Sequence, residues 1–407
     1  MGKSIIAFCV LIFLLPALRA SAVENHGTIY MEDFFYKDSS IEGEQHLLTT
    51  RVKLNTTKLN KSGTLGFHFD GRNRSNLGSY KSSTKNERID VLNLDYTGKA
   101  LYLAVGRVWP KELSLERIDG INLAFEKGKF GVGAFGGLKP DPFTEMFTAD
   151  YASLGAYVYY KKDTLNTNLA FTHNTYKGGT DRQYIYWQAY YLPVNAVSLY
   201  TMLTADINQK SKGLSLTNGM LELTMRPDAN KSVTLGYNQF RSVQFYKSVD
   251  YEADTGLQQS YYLGGNYRIK EKYNFYGRVE KQTRNLSSLE EEYKRSMSYK
   301  AGLNVDTLGK TGVSSNLSAT IADGFGAKHI TYGLELSRYF RETFQLMLNG
   351  SFTESKYVNA DSSKVWAYGA SGYFYFSKKW NLSLTYDGES ASGYTINSLL
   401  SRLSYKF

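Results

Sequence analysis

From about residue 26 to its last residue, the chain reads as one short period-two segment after another. Leu92, Leu94 and Tyr96 alternate with Asn93 and Asp95, and Leu221, Leu223 and Met225 with Glu222, Thr224 and Arg226. Tyr273, Phe275 and Val279 alternate with Asn274, Arg278 and Glu280, and Trp380, Leu382, Leu384 and Tyr386 with Asn381, Ser383, Thr385 and Asp387. A period of two places one residue set on each face of an extended strand. Each segment therefore has one apolar and one polar face, and the whole chain predicts an all-β protein.

The links between segments have their own rhythm. Short ones fall at 59–63, 97–99, 126–129, 161–163, 193–195, 227–230, 269–272, 308–310, 340–342 and 377–379. Longer, more polar ones alternate with them at 38–44, 71–86, 109–116, 137–149, 177–182, 209–213, 244–255, 284–293, 324–328, 354–363 and 388–392. A meander with tight turns on one rim and larger loops on the other gives this order. Counting the runs gives about 22 strands, with 18 or 20 if the weak segments at 118–130 and 131–137 are loops.

The N-terminus is separate. Lys3, an apolar run from Ile5 to Leu15 and the small-residue site Ala20-Ser21-Ala22 have the form of a secretory signal peptide, too short to span a bilayer, which takes about 20 residues. The expected organisation is a leader at 1–22 and a barrel at 23–407. Cys9 does not suit a lipoprotein site, because Phe8 stands where a small residue is needed. As the only cysteine, it leaves the mature chain without disulfides, thiolate metal sites or a C-x-x-C-H haem attachment.

With 34 Tyr and 22 Phe against 6 Pro, the composition suits strands that meet lipid on one face, with aromatic girdles at the interfaces. A soluble sandwich of this length needs two domains, and no linker or composition break appears. Without Lys3 and Arg19 the mature chain has 46 cations against 38 anions. These cations are scattered singly over strands and turns, which argues against nucleic acid as a partner.

The final segment brings a resemblance. Leu399, Leu403, Tyr405 and Phe407 alternate with Arg402, Ser404 and Lys406, and the chain ends on the aromatic. This resembles the closing strand of Gram-negative outer-membrane β-barrels. It implies a transmembrane antiparallel up-and-down barrel in the cell outer membrane, with short turns and both termini on the periplasmic side. Leu399, Leu403, Tyr405 and Phe407 would then act as an assembly signal for the barrel-insertion machinery, with outer-membrane lipids around the wall.

The five histidines, His26, His46, His68, His173 and His329, show no catalytic or metal-ligand spacing. His68 with Asp70, placed at the loop end of its strand, could form an acid–base pair, but a polar wall position is the simpler reading. The run 131–137 is glycine-rich without a following helix, which fits a strand bend better than a phosphate cradle. No enzyme activity, cofactor or metal site is expected. The inward charges by alternation are Arg51, Lys53, Asp95, Glu222, Arg226, Arg268, Arg278, Glu280, Lys300 and Glu335. Six cations to four anions lean towards anion preference in a pore; a charge-balanced wall fits as well. Tyr157, Tyr159, Tyr186, Tyr190, Tyr262 and Tyr276 also point inward, to fill space or to stack on sugars.

Two functions fit these features. One is a porin-like channel for small hydrophilic solutes or ions, as a monomer or homotrimer. Its difficulty is width: barrels of about 22 strands are normally plugged, no plug domain is present, and the loops look too short to fold in. The alternative answers that difficulty. In size and architecture the chain is similar to the barrel component of porin–cytochrome conduits, which would enclose a periplasmic multihaem cytochrome carrying all the haem.

Overall fold

The computed structural model describes residues 23–407 except 81–86, 114–115, 143–144, 209–212, 244, 249–255, 286–288 and 290. The expected leader, 1–22, lies outside the described residues.

Twenty-two strands follow one another in one closed sheet. They are β1 Glu24–Asp38, β2 Glu44–Thr57, β3 Leu65–Asn76, β4 Glu87–Thr97, β5 Leu101–Val108, β6 Ile118–Lys127 and β7 Phe130–Leu138. Next come β8 Tyr151–Lys162, β9 Leu165–Tyr176, β10 Gly179–Val194, β11 Val197–Asn208, β12 Gly213–Asp228, β13 Lys231–Arg241 and β14 Leu257–Ile269. The rest are β15 Tyr273–Asn285, β16 Arg295–Val305, β17 Val313–Gly324, β18 Ala327–Phe340, β19 Phe344–Tyr357, β20 Ser363–Tyr375, β21 Trp380–Ala391 and β22 Tyr394–Lys406. The segments at 118–130 and 131–137 are strands β6 and β7, so the count stands at 22.

Each strand pairs antiparallel with its neighbours in the chain, and β1 closes on β22 from Thr28↔Lys406 to Asp38↔Ile396. Closure leaves no sheet edge, and in lipid each unpaired backbone group costs several kcal/mol. Leu94, Leu154, Leu169, Leu263, Tyr332 and Trp366 stand exposed on the outside. Thr56, Asn122, Tyr157, Thr172 and Tyr184, on the opposite face, are almost wholly buried. That is the inside-out patterning of a wall between lipid and a polar interior. No described helix is long and apolar enough to cross a membrane; the strands cross instead.

Of the ten expected tight turns at one rim, eight are links of two to four residues, while 58–64 and 306–312 are seven-residue links. At the other, three links expected to be longer are two-residue turns, at 177–178, 325–326 and 392–393. There the flanking strands are longer and take up what looked like loop.

Three register shifts matter for the interior. Asp90 on β4, Asp181 on β10 and Thr217 on β12 are each the extra residue of a β-bulge near the loop rim. A bulge re-aims side chains locally. All three carry polar groups that are drawn into hydrogen-bonded networks.

Candidate channel lining

Strands β5, β6 and β7 have 8, 10 and 9 residues, against 11 to 16 elsewhere. The wall is low there. Near the end of β5 stands Gly106, at φ +123°, where a Cβ would collide with the Leu92 carbonyl oxygen. Only glycine allows that approach. The link after β5 therefore starts below the rim, and its described residues, 109–113 and 116–117, lie over the polar face of β5–β10.

Side chains pin its described residues. Lys111 pairs with Glu126. Glu112, in the left-handed region at φ 65°, pairs with Lys161, and its carbonyl accepts from Asn168 Nδ2 at 3.0 Å. Leu113 is buried in a cluster with Ile118, Phe135, Tyr157, Tyr184 and Tyr186. Glu116, only 3% exposed, accepts from Tyr184 Oη at 2.5 Å and Asn174 Nδ2 at 3.0 Å and lies 2.8 Å from Lys139 Nζ. Burial alone would raise the Glu116 pKa. The Lys139 charge and the donated hydrogen bonds outweigh burial and hold it below the ordinary carboxylate range. Arg117 donates to Asp90 at 3.0 Å and pairs with Glu145 of the next loop.

The expectation that the loops are too short to fold in is thus corrected: a short link suffices where the wall is low. The apolar Leu113, among polar neighbours, is the one trace of this in the sequence.

Beside the loop runs a row of arginines. Arg51 on β2 is in register with Arg72 on β3, and Arg72 with Arg88 on β4. Like charges directly opposite destabilise a sheet, so neighbours must neutralise them. Arg51 binds Asp70 at 2.5 and 2.7 Å and Asp90 at 2.9 Å; Arg88 pairs with Asp90 and Glu145. Asp90, the bulge residue, thus serves Arg51, Arg88 and Arg117 together. Arg72 has no carboxylate within ion-pair distance among the described residues, and its buried Nε has no hydrogen-bond partner. The sequence reading missed Arg72, Arg88, Asp90 and Arg117.

The charges expected to point inward divide into groups. Arg51 and Lys53 share Asp70, the latter at 3.4 Å. Asp95 lies 2.7 Å from His68 Nε2. Glu222 accepts from Tyr262 at 2.6 Å, Arg278 lies over the Tyr262 ring and 2.8 Å from Glu280, and Lys300 is in register with Arg278. Arg226 and Arg268 lie at the turn rim, the latter 3.4 Å from Asp306. Glu335 stands between Asn316 and Asn349 in register. With Asp387 and Glu389 it borders an inner depression of about 370 Å³. They form no single ring.

The suggested His68–Asp70 pair is not formed. Asp70 is held by Arg51, and His68 lies towards the turn rim between Asn55, at 3.0 Å, and Asp95. No group of three or more His, Cys, Asp or Glu suited to a metal occurs among the described residues.

The fold and its outward apolar band define the class: a porin-like transmembrane β-barrel of the Gram-negative outer membrane. No protein-family model matches the sequence, and no curated protein does. Among solved structures the chain is similar to Pseudomonas aeruginosa OpdQ, at 10% identity and TM-score 0.49 over 94% of this chain and 99% of that one. It is also similar to OccK3 (OpdO) of the same organism, at 10% and 0.47 over 98% and 99%, and to Acinetobacter baumannii OccAB4, at 9% and 0.45 over 95% and 99%. At TM-scores under 0.5 these likenesses add nothing to what the barrel's own geometry says about its lumen.

Proposed function

We propose that this barrel is a channel that passes small hydrophilic solutes and ions across the outer membrane. The observation that carries the reading is the infolding of the link after β5, seen in residues 109–113 and 116–117. A round wall of 22 tilted strands spaced about 4.8 Å apart has a backbone diameter of roughly 40 Å. Left empty, that would be a breach. The loop narrows the lumen from one side, and the buried cluster it creates lies on β5–β11. The polar face of β17–β21, with Glu335, Asp387 and Glu389, borders open space. A narrowed, polar, water-filled lumen is what permeation requires.

In this reading Arg51, Lys53, Asp95, Glu222, Arg278, Glu280, Lys300 and Glu335 line the path, with Arg226 and Arg268 at its turn-side mouth. The unneutralised Arg72 gives the row on β2–β4 a local preference for anions. The cytochrome-sheath alternative gains no supporting observation, since the loop occupies space that a guest would need, and no feature points to a homotrimer.

The test is conductance of the purified chain alone in planar lipid bilayers. Discrete, long-lived steps with a colourless preparation are expected. A silent protein that co-purifies with a haem protein in fixed proportion overturns the proposal.

A further inference from the structure

On the outside of the barrel, at the turn rim of β6–β9, an apolar groove of about 600 Å³ runs past Phe125, Phe130, Val132, Val158, Tyr160 and Leu169. Phe130 and Tyr160 form its mouth, with ring centroids 4.7 Å apart.

Three lysines surround that mouth. Lys127 lies opposite Phe130, which lies opposite Tyr160. By alternation Lys127 shares the outward face of Phe125, and Lys162 that of Tyr160. Lys129 is tied beside Lys162, because its carbonyl accepts from the Lys161 N–H at 2.9 Å. Lys127, Lys129 and Lys162 are exposed, and none has an ion-pair or hydrogen-bond partner among the described residues; Asp163, in the same turn, pairs with none of them. The inward cations nearby differ: Lys111 is held by Glu126 and Lys161 by Glu112.

We propose that this face binds a phospholipid with a net negative headgroup, its acyl chain in the groove and its phosphate on Lys127, Lys129 and Lys162. The cations and the groove are continuous on the lipid side of one wall, at the level where headgroups lie. Lysine there gains from anionic lipid by about 1 kcal/mol per charge, and its stem can lie along the aromatic rings. A solute in the lumen cannot reach outward residues. A soluble acidic protein would meet the turns and leave the groove uncovered.

The test is native mass spectrometry of the whole, delipidated, detergent-solubilised barrel titrated with phosphatidylglycerol or phosphatidylcholine. The wild type is expected to retain one phosphatidylglycerol in preference to phosphatidylcholine. The triple variant K127Q/K129Q/K162Q, shown folded by heat-modifiable gel mobility, should bind it about a hundredfold more weakly. Lys378→Gln with Lys379→Gln, at the β20–β21 turn, should change nothing. Val132→Trp, which fills the groove and leaves the charges, should also lower retention. Equal retention of both lipids, undiminished binding by the triple or Val132→Trp variant, an equal loss in the β20–β21 control, or displacement of the lipid by inorganic phosphate would each overturn the proposal.

Discussion

The Tyr184 hydroxyl on β10 donates to the Glu116 carboxylate at 2.5 Å, and this bond joins the infolded loop to the wall well away from where the loop leaves β5. Glu116 is its anchor, being nearly wholly buried and held below the ordinary carboxylate pKa, where burial alone would raise it, by Lys139, Tyr184 and Asn174. A carboxylate depressed in the folded state contributes stability above its unfolded value, near 4.5, and loses it as pH falls through the folded value. Single-channel conductance should therefore be flat from about pH 7 to pH 5 and rise below about pH 4 as the loop loosens. Glu116→Gln removes the ion pair with Lys139 and should weaken loop attachment by about 1–3 kcal/mol. It should conduct more at pH 7 and lack the acid step. An unchanged pH profile in Glu116→Gln would show that Glu116 does not set the aperture.

Arg72 stands in register between Arg51 and Arg88 and is the member of the row without a neutralising carboxylate. It is half-buried on the inner face. One unit charge acting on an ion about 7 Å away through water is worth roughly 0.6 kcal/mol. The anion loses this and the cation gains it, so Arg72→Gln should lower the anion-to-cation permeability ratio by up to roughly sevenfold, read from the reversal potential in a potassium chloride gradient. Arg51→Gln should move it the same way and further, because it also releases Asp70 and Asp90.

Alternation made much of this legible. The apolar faces of β4 and β21 and eight of the ten tight turns follow from residue type and spacing, and closure by β22 is what the resemblance of the last segment implies. The bulges do not. In β4, Arg88 and Asp95 lie seven residues apart and would face opposite sides in a regular strand; the extra residue Asp90 brings both to the inner face. Asp181 likewise carries no mark that it will bind the backbone of Lys247 and Ser248, at 3.0 and 2.8 Å. The infolding of the link after β5 depends on the height of the wall beneath it, which strand-by-strand reading does not give. Alternation gives His68 its face but not its partner, because Asp95 is adjacent only across the β3–β4 register.

Tyr157, beneath the loop, donates to Asn122 Oδ1 at 2.9 Å, and both residues are almost fully buried. Tyr157→Phe leaves the Asn122 carbonyl without this donor. A buried polar group that loses its partner costs about 1–3 kcal/mol. Urea unfolding in lipid vesicles should show that loss, whereas Tyr160→Phe, on the lipid side, should stay within about 0.5 kcal/mol of wild type.

The seam between first and last strands gives the remaining test. Gly27 and Phe407 exchange both backbone hydrogen bonds, at 3.1 and 3.2 Å. The Phe407 ring lies so close over Gly27 that a Cβ there would collide with it and would sit 2.6 Å from the Lys53 carbonyl oxygen. Rings continue along the seam: Tyr405 lies 6.0 Å from Phe407 and 4.6 Å from Trp380. On the polar side Arg402 pairs with Glu32 of β1. Leu399 and Leu403 lie exposed on the lipid face. Deleting Phe407 removes the last pair of hydrogen bonds and the ring that fills the space above Gly27, so closure must start from Lys406. Assembly should fall, leaving protease-sensitive protein in the periplasm, and the fraction with folded gel mobility should drop. Gly27→Leu separates the two contributions. It keeps the terminal aromatic that the insertion machinery would read, but forces the ring away. If Gly27→Leu inserts normally and the deletion does not, the role of Phe407 is recognition; if both fail alike, it is closure of the seam.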